Sequence, residues 1–140
     1  MRTVRDADGD RYLLLKESSE SSRVRDPETG EERHVPNDEL EPVDGESPLE
    51  AAANAVPEAA RRLVTAVPDR RALGLLVEVD DRGPLDVHVL LDAYDLCESD
   101  LHGLLAEFRA AGLVEEIDVA GRRGYRITDE GHDALARLRD

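Results

Sequence analysis

One apolar stripe constrains this chain more than any other feature of its 140 residues. In CESDLHGLLAEFRAAGLVEE, residues 97–116, Leu101, Leu104, Leu105, Phe108 and Ala111 recur at i, i+3, i+4, i+7 and i+10. That spacing puts all five on one side of a helix, and such a face is stable only when other elements cover it. Gly112 follows the last of them, where a residue without Cβ most easily ends a helix. Cys97 stands at the other end, in the position that Ser or Thr usually takes as N-cap. Leu113-Val114 then opens a different, extended pattern.

Candidates to cover the stripe lie on both sides of it. Residues 48–67 read as helical with an interruption at Val56-Pro57, and Pro57 suits the first turn of a new helix. That helix offers Ala60, Leu63, Val64 and Val67. A further helix after Pro68-Asp69 offers Ala72, Leu73, Leu76 and Val77, with Val79 as a further candidate, and stops at Asp81-Arg82-Gly83-Pro84. Pro84-Leu85 opens a short helix through Ala93, with Leu85, Val89 and Leu90 inward, and Asp95-Leu96 turns the chain into the stripe. Downstream, Glu115 to Val119 and Tyr125 to Thr128 are expected to pair as a hairpin around Ala120 to Gly124. A last helix, Asp129 to Arg139, presents Ala134, Leu135 and Leu138.

Residues 1–43 have a different rhythm. Strands are expected at Thr3 to Arg5, Arg11 to Lys16, Arg23 to Arg25 and Glu31 to Val35, with turns at Asp6 to Asp10 and at Asp26-Pro27-Glu28-Thr29-Gly30. Two hairpins bury too little to stand alone, so Leu13, Leu15, Val24 and Val35 are expected to dock on the helical part or on a second subunit. Pro36 to Pro48 reads as an extended connector. The expected organisation is a β element in 1–43, a linker and short helix in 44–56, and a mainly helical domain in 57–140.

Composition removes several function classes. No apolar run approaches the roughly 20 residues of a membrane span, and the first residues lack the apolar segment of a signal peptide; a cytoplasmic protein is expected. Cys97 is the only cysteine, so there is no internal disulfide and no multi-cysteine metal site. His34, His88, His102 and His132 form no HxxxH or HExxH pair, and there is no phosphate loop or G-x-S-x-G. An enzyme is therefore not expected, nor a metal or cofactor. Cys97 reads either as a small capping residue or as a redox-sensing thiol. The net charge is −15, spread along the chain, and Lys16 is the single lysine among 18 basic residues.

Helix, helix, turn, helix, AGLV, hairpin and terminal helix, in that order, resemble the winged helix-turn-helix of MarR-, ArsR- and PadR-like transcriptional regulators. The resemblance rests on GPLDVHVLLDAYDLCESDLHGLLAEFRAAGLVEE (83–116) and GRRGYRITDEG (121–131) and covers about half of the chain. The acidic, lysine-poor composition resembles that of salt-in halophilic archaea. RDPETGEERHVPNDELEPV is similar to small haloarchaeal helix-turn-helix proteins without an assigned role. The implied fold class is α+β, a C-terminal winged helix-turn-helix preceded by a small antiparallel β element.

What the resemblance implies is a transcription regulator that binds double-stranded DNA. Glu98, Ser99, Asp100, His102, Gly103 and Ala106 would occupy the groove-facing side of the recognition helix. Ser99 and His102 suit base edges, and Glu98 suits a cytosine amino group. Arg122, Arg123 and Arg126 on the wing would hold the backbone, and the wing is expected to contribute more affinity than CESDLHG. The pairs Arg61/Arg62 and Arg70/Arg71 either extend a basic stripe or pair with nearby acids on a solvated face. Helices outside the winged core, 48–67 or 129–139, are candidates for a homodimer contact. The alternative is a winged-helix protein-interaction module. It is motivated by Glu98, Asp100 and Glu107 on the helix, and by an N-terminal β element that offers an edge strand to a partner.

Overall fold

The computed structural model describes residues 1–139 as an α+β chain in two compact units, Met1–Pro57 and Glu58 onward. Among the described residues no helix is long and apolar enough to cross a membrane.

The first unit is built on strands β1 (Arg2–Arg5), β2 (Arg11–Glu17), β3 (Ser21–Arg25), β4 (Glu32–Pro36) and β5 (Glu41–Pro42). They form one antiparallel sheet in the order β4-β3-β2-β1-β5. Aspartates shape both tight turns. Asp6 accepts from the N–H groups of Asp8 and Asp10 at 3.0 and 2.9 Å, and Asp26 accepts from Glu28 N–H at 2.8 Å. Gly9 and Gly30 supply the positive φ that closes each turn. The first of these turns brings carboxylate oxygens of Asp6, Asp8 and Asp10 within 4.8 Å of one another.

The expected connector does not run free of this sheet. A 3-10 turn (Asn37–Glu39) follows β4, and β5 then pairs with the opposite edge through Val4–Pro42 and Arg5–Glu41. Proline is tolerated at Pro42 because an edge strand leaves one row of N–H positions unused. In a flat sheet β4 and β5 would stand about 19 Å apart, four steps of ~4.8 Å. Four residues, three of them in a 3-10 turn of roughly 2 Å rise each, fall short of that, so the sheet curls. A bulge between Leu14 and Lys16 adds twist. Inside the curl lie Val4, Tyr12, Leu14, Val24 and Val35, with Leu40 packed against them. Helix α1 (Pro48–Ala52), N-capped by the Ser47 hydroxyl, packs on β1 and β2 and buries Ala51. Thr3 and Leu13, paired across β1 and β2, are also buried.

The second unit contains α2 (Glu58–Ala66), α3 (Arg70–Arg82), β6 (Leu85–Asp86), α4 (Val87–Ala93), α5 (Glu98–Ala110), β7 (Val114–Val119), β8 (Arg122–Ile127) and α6 (Asp129–Leu138). Its sheet is antiparallel in the order β6-β8-β7. The expected stripe is its centre: Leu101, Leu105 and Phe108 are fully buried, with Leu104 and Ala111 partly so. They meet Leu63, Leu76, Val79, Leu90, Leu113 and Leu135 in one core.

Two features of the sequence find a physical reason here. Gly112 (φ 75°) ends α5 with Leu113 N–H on Phe108 O at 2.9 Å and Gly112 N–H on Arg109 O at 3.0 Å, the paired bonds of a Schellman end. In TDEG, Thr128 caps α6 by accepting from Gly131 N–H at 3.0 Å and donates to Gly112 O at 2.6 Å. Gly131 is buried where a Cβ would overlap the Leu113 carbonyl. The threonine and glycine thus lock α6 onto the end of α5.

Several expectations need correction. Leu85-Asp86 is not helical: it is a short strand on β8, with Leu85 opposite Tyr125 and Asp86 opposite Gly124, and Asp86 caps α4. Gly124 makes this possible, since a Cβ there would strike Val119 and come within 2.8 Å of Leu85 O. Val64, Leu73, Val89 and Leu138 are exposed rather than inward. In α3, Ala72, Leu75, Leu76 and Val79 lie at i, i+3, i+4 and i+7 and face the core, leaving Leu73 to one side. Leu15 is only partly buried, because the bulge displaces it from the strand alternation.

Candidate nucleic-acid interface

Cys97 caps α5, its Sγ accepting from Asp100 N–H at 3.4 Å and lying 3.4 Å from Ser99 Oγ. The first turn beyond it is solvent-facing: Glu98, Ser99, Asp100 and Gly103 are exposed, and His102 is half-buried. Acidic side chains at a helix N-terminus are favoured by its partial positive charge. They are also tied down. Glu98 approaches His102 at 3.6 Å and Asp100 approaches Arg71 at 3.5 Å.

The hairpin that follows is longer and tighter than expected. β7 and β8 meet in a two-residue turn, Ala120-Gly121, with positive φ at both positions, the geometry that matches strand twist. Arg122 and Arg123 therefore lie in the strand rather than on the turn. Strand alternation then separates the three basic residues. Arg123 shares a face with Tyr125 and with Glu116 and Asp118 across the ladder, whereas Arg122 and Arg126 share the other face with Val119 and Glu115.

The two faces differ in what the arginines meet. Arg126 Nε pairs with Glu115. Arg123 Nε forms an ion pair with Glu116 Oε1 at 3.1 Å, and its guanidinium donates to the Tyr125 hydroxyl at 3.0 Å. Tyr125 first, and Glu116 after it, raise the proton affinity of the Arg123 guanidinium, which is a cation throughout the accessible pH range. Arg109, from the last turn of α5, reaches the other oxygen of the same carboxylate at 3.0 Å. One glutamate thus bridges two guanidiniums from different elements. Among the described residues Arg122 has no ion-pair partner.

Between α5 and β8 runs an open groove of about 670 Å³, lined by His102, Ala106, Arg109, Ala110, Arg123 and Tyr125. Of the residues singled out from the sequence, it brings His102, Ala106 and Arg123 together. Ser99 and Gly103 lie nearer the N-terminus of the same helix, and Arg122 and Arg126 are on the far face of the hairpin. Tyr125 and Glu116 were not among the expected residues, and Arg109, whose charge suits the C-terminal end of α5, lines the groove as well. Arg62 pairs with Glu58 within its own helix and Arg71 with Asp100 of α5, so these two helix arginines do not stand apart from acids.

A second polar cluster joins α3 to α6. The Asp80 carboxylate is almost fully covered and meets His132 Nδ1 at 2.7 Å, while Arg139 meets Asp81 at 2.7 Å. The hydrogen bond and charge of Asp80 raise the His132 pKa, with Asp133 and Asp129 adding to it. Arg139 holds the Asp81 carboxyl below its ordinary value, chiefly through its hydrogen bond.

A protein-family model matches the chain over residues 1–139, and its description is a family of unknown function (DUF7346). No curated protein and no solved structure matches the chain.

Proposed function

The chain belongs to DUF7346, a family of unknown function, and on its own geometry we propose that it binds double-stranded DNA through a winged helix-turn-helix. In this reading α4 and α5 are the helix-turn-helix, α5 is the recognition helix and β7–β8 is the wing. The protein acts as a transcription regulator in the cytoplasm of a salt-in halophilic archaeon, as a twofold dimer.

The observation that carries the reading is the groove beside α5. Its floor includes Ala106 and Ala110, short enough for a close approach, and its walls carry Arg109 and Arg123. Ser99, His102 and Gly103 lie on the accessible part of the same helix, where base edges would be read. Surface ion pairs of the kind made by Glu116 are worth about 0–1 kcal/mol. An incoming phosphate therefore displaces them at small cost.

The test is retention of genomic duplex fragments by the full chain between 0.1 and about 3 M KCl. A preferred fragment bound about 10³-fold or more above random duplex is expected. His102→Ala and Ser99→Ala should relax the preference, and Arg122→Ala should lower affinity without changing it. No retention on any fragment at any salt would contradict the reading.

One observation favours the protein-interaction reading. Arg109, Arg123 and Arg126 each meet a glutamate, and Glu98, Asp100 and Glu107 are exposed on α5. Co-purification of one stoichiometric protein partner, with no duplex retained, is what that alternative requires.

A further inference from the structure

Arg109 and Arg123 are held differently from the cross-strand arginines Arg2, Arg5, Arg23 and Arg126. They come from two elements, a helix end and a strand, and meet opposite oxygens of one Glu116 carboxylate at 3.0 and 3.1 Å. All three side chains keep a third or more of their surface in contact with solvent. The arrangement stands at the mouth of the groove beside α5, with the Tyr125 hydroxyl 3.0 Å from Arg123. Asp118, opposite Arg123 across the ladder, lines the pocket that also holds Arg109, Glu116 and Arg123, so two guanidiniums stand beside two carboxylates and their charge is balanced within the protein. The geometry is that of a forked anion clamp whose present occupant is the protein's own carboxylate.

We propose that Arg109 and Arg123 form a phosphate clamp, that its ligand is a phosphodiester of the DNA backbone, and that Glu116 is a built-in competitor for the same two guanidiniums. The choice of ligand rests on the DNA reading above; the clamp itself does not. A phosphate oxygen pair takes the place of the Glu116 oxygens, and the displaced carboxylate turns to solvent. In a chain of net charge −15 this device has a definite consequence. Guanidiniums already neutralised within the protein release few anions on binding, and the freed carboxylate takes up a cation. Binding then falls only shallowly with salt, unlike ordinary counterion release. Glu115 is the natural control, because it pairs with Arg126 on the opposite face of the same hairpin and carries the same charge.

The experiment compares wild type, Glu116→Gln, Glu115→Gln and Glu116→Gln/Arg109→Gln/Arg123→Gln, each checked for unchanged thermal unfolding. Two probes are titrated: inorganic phosphate, followed through the backbone amide resonances of Arg109, Glu116 and Arg123, and a 20-base-pair duplex, followed by fluorescence anisotropy. Glu116→Gln is expected to bind both about ten-fold tighter than wild type, with the salt slope for duplex steepened by about 0.9, one phosphate contact. Glu115→Gln should leave phosphate binding at the wild-type level, and the triple variant should lose the gain. Phosphate binding that follows this pattern without any duplex binding would support the clamp and overturn the DNA reading. Duplex binding by wild type that Glu116→Gln leaves unchanged, or phosphate binding at Arg109 and Arg123 that Glu115→Gln raises equally, would overturn the clamp and leave the DNA reading standing. Binding of neither probe by any variant would overturn both.

Discussion

The two sheets of this protein use the same chemistry on their surfaces and differ in what lies beside it. In the N-terminal unit Arg2 pairs with Glu17, Arg5 with Glu41 and Arg23 with Glu32, each between neighbouring strands and each one to one. In the C-terminal hairpin Arg126 and Glu115 do the same. Cross-strand Arg–Glu pairing is therefore this chain's ordinary way of carrying arginine among many acids, and by itself says nothing of function. Glu116 breaks the pattern: it takes two arginines, one of them from a helix, and does so beside an open groove. That departure, rather than the number of basic residues on the hairpin, distinguishes a site from a solvated surface.

The comparison is most severely tested through the cores beneath the sheets. Phe108 is fully buried at the centre of the C-terminal core, and Phe108→Ala is expected to cost about 4 kcal/mol. Leu13→Ala, in the thinner N-terminal unit, should cost about 2–3 kcal/mol; urea denaturation reads both. Equal costs would mean that the smaller N-terminal core is packed as tightly as the larger C-terminal one. Gly131→Ala forces a Cβ onto the Leu113 carbonyl and should cost roughly 2 kcal/mol, with hydrogen exchange quickening in α6. Thr3→Val acts in the opposite direction. The Thr3 hydroxyl is buried with no hydrogen-bond partner among the described residues, so an apolar side chain of the same shape should raise stability by about 1 kcal/mol.

Smaller effects separate the sheets by function. Glu32→Gln and Glu116→Gln should each change stability by less than about 1 kcal/mol. Only the second should alter duplex binding, and an equal response from both would erase the distinction. The last effect is one of pH. The folded His132 pKa is raised by Asp80, so its contribution is complete below the unfolded value of about 6.5. It is lost as pH rises through the higher folded value. The melting-temperature advantage of wild type over His132→Gln should thus be largest below about pH 6 and shrink above neutrality; an advantage that grows with pH would contradict the Asp80 contact.

Much of the C-terminal unit was legible because its signals are local. The stripe of α5, its Cys97 cap, the Gly112 stop and the start of α6 at Asp129 all depend on residues within a few positions of one another. The phases of α2 and α3 were less so, since Val64 and Leu73 widen an apolar stripe without saying which edge is buried. β6 was hidden because a two-residue strand has no period, and only Gly124, far along the chain, makes room for it. β5 was hidden because its prolines and acids read as a link until the curl of the sheet brings it to β1. At the site, the separation of Arg123 from Arg122 and Arg126 follows from strand alternation once Ala120-Gly121 is known to be the whole turn. Arg109 meeting Glu116 does not follow from any pattern. It depends on how the end of α5 sits against β7, which is tertiary packing.

The central claim is that nucleic acid enters the groove between α5 and β8. Titrating the isotopically labelled protein with duplex DNA and following its backbone amides by NMR tests it most directly. The account predicts saturable shifts in the N-terminal half of α5 and at Arg109, Glu116, Arg123 and Tyr125, with the N-terminal sheet unmoved. Shifts confined to residues 1–57, or none at any duplex concentration, would contradict it.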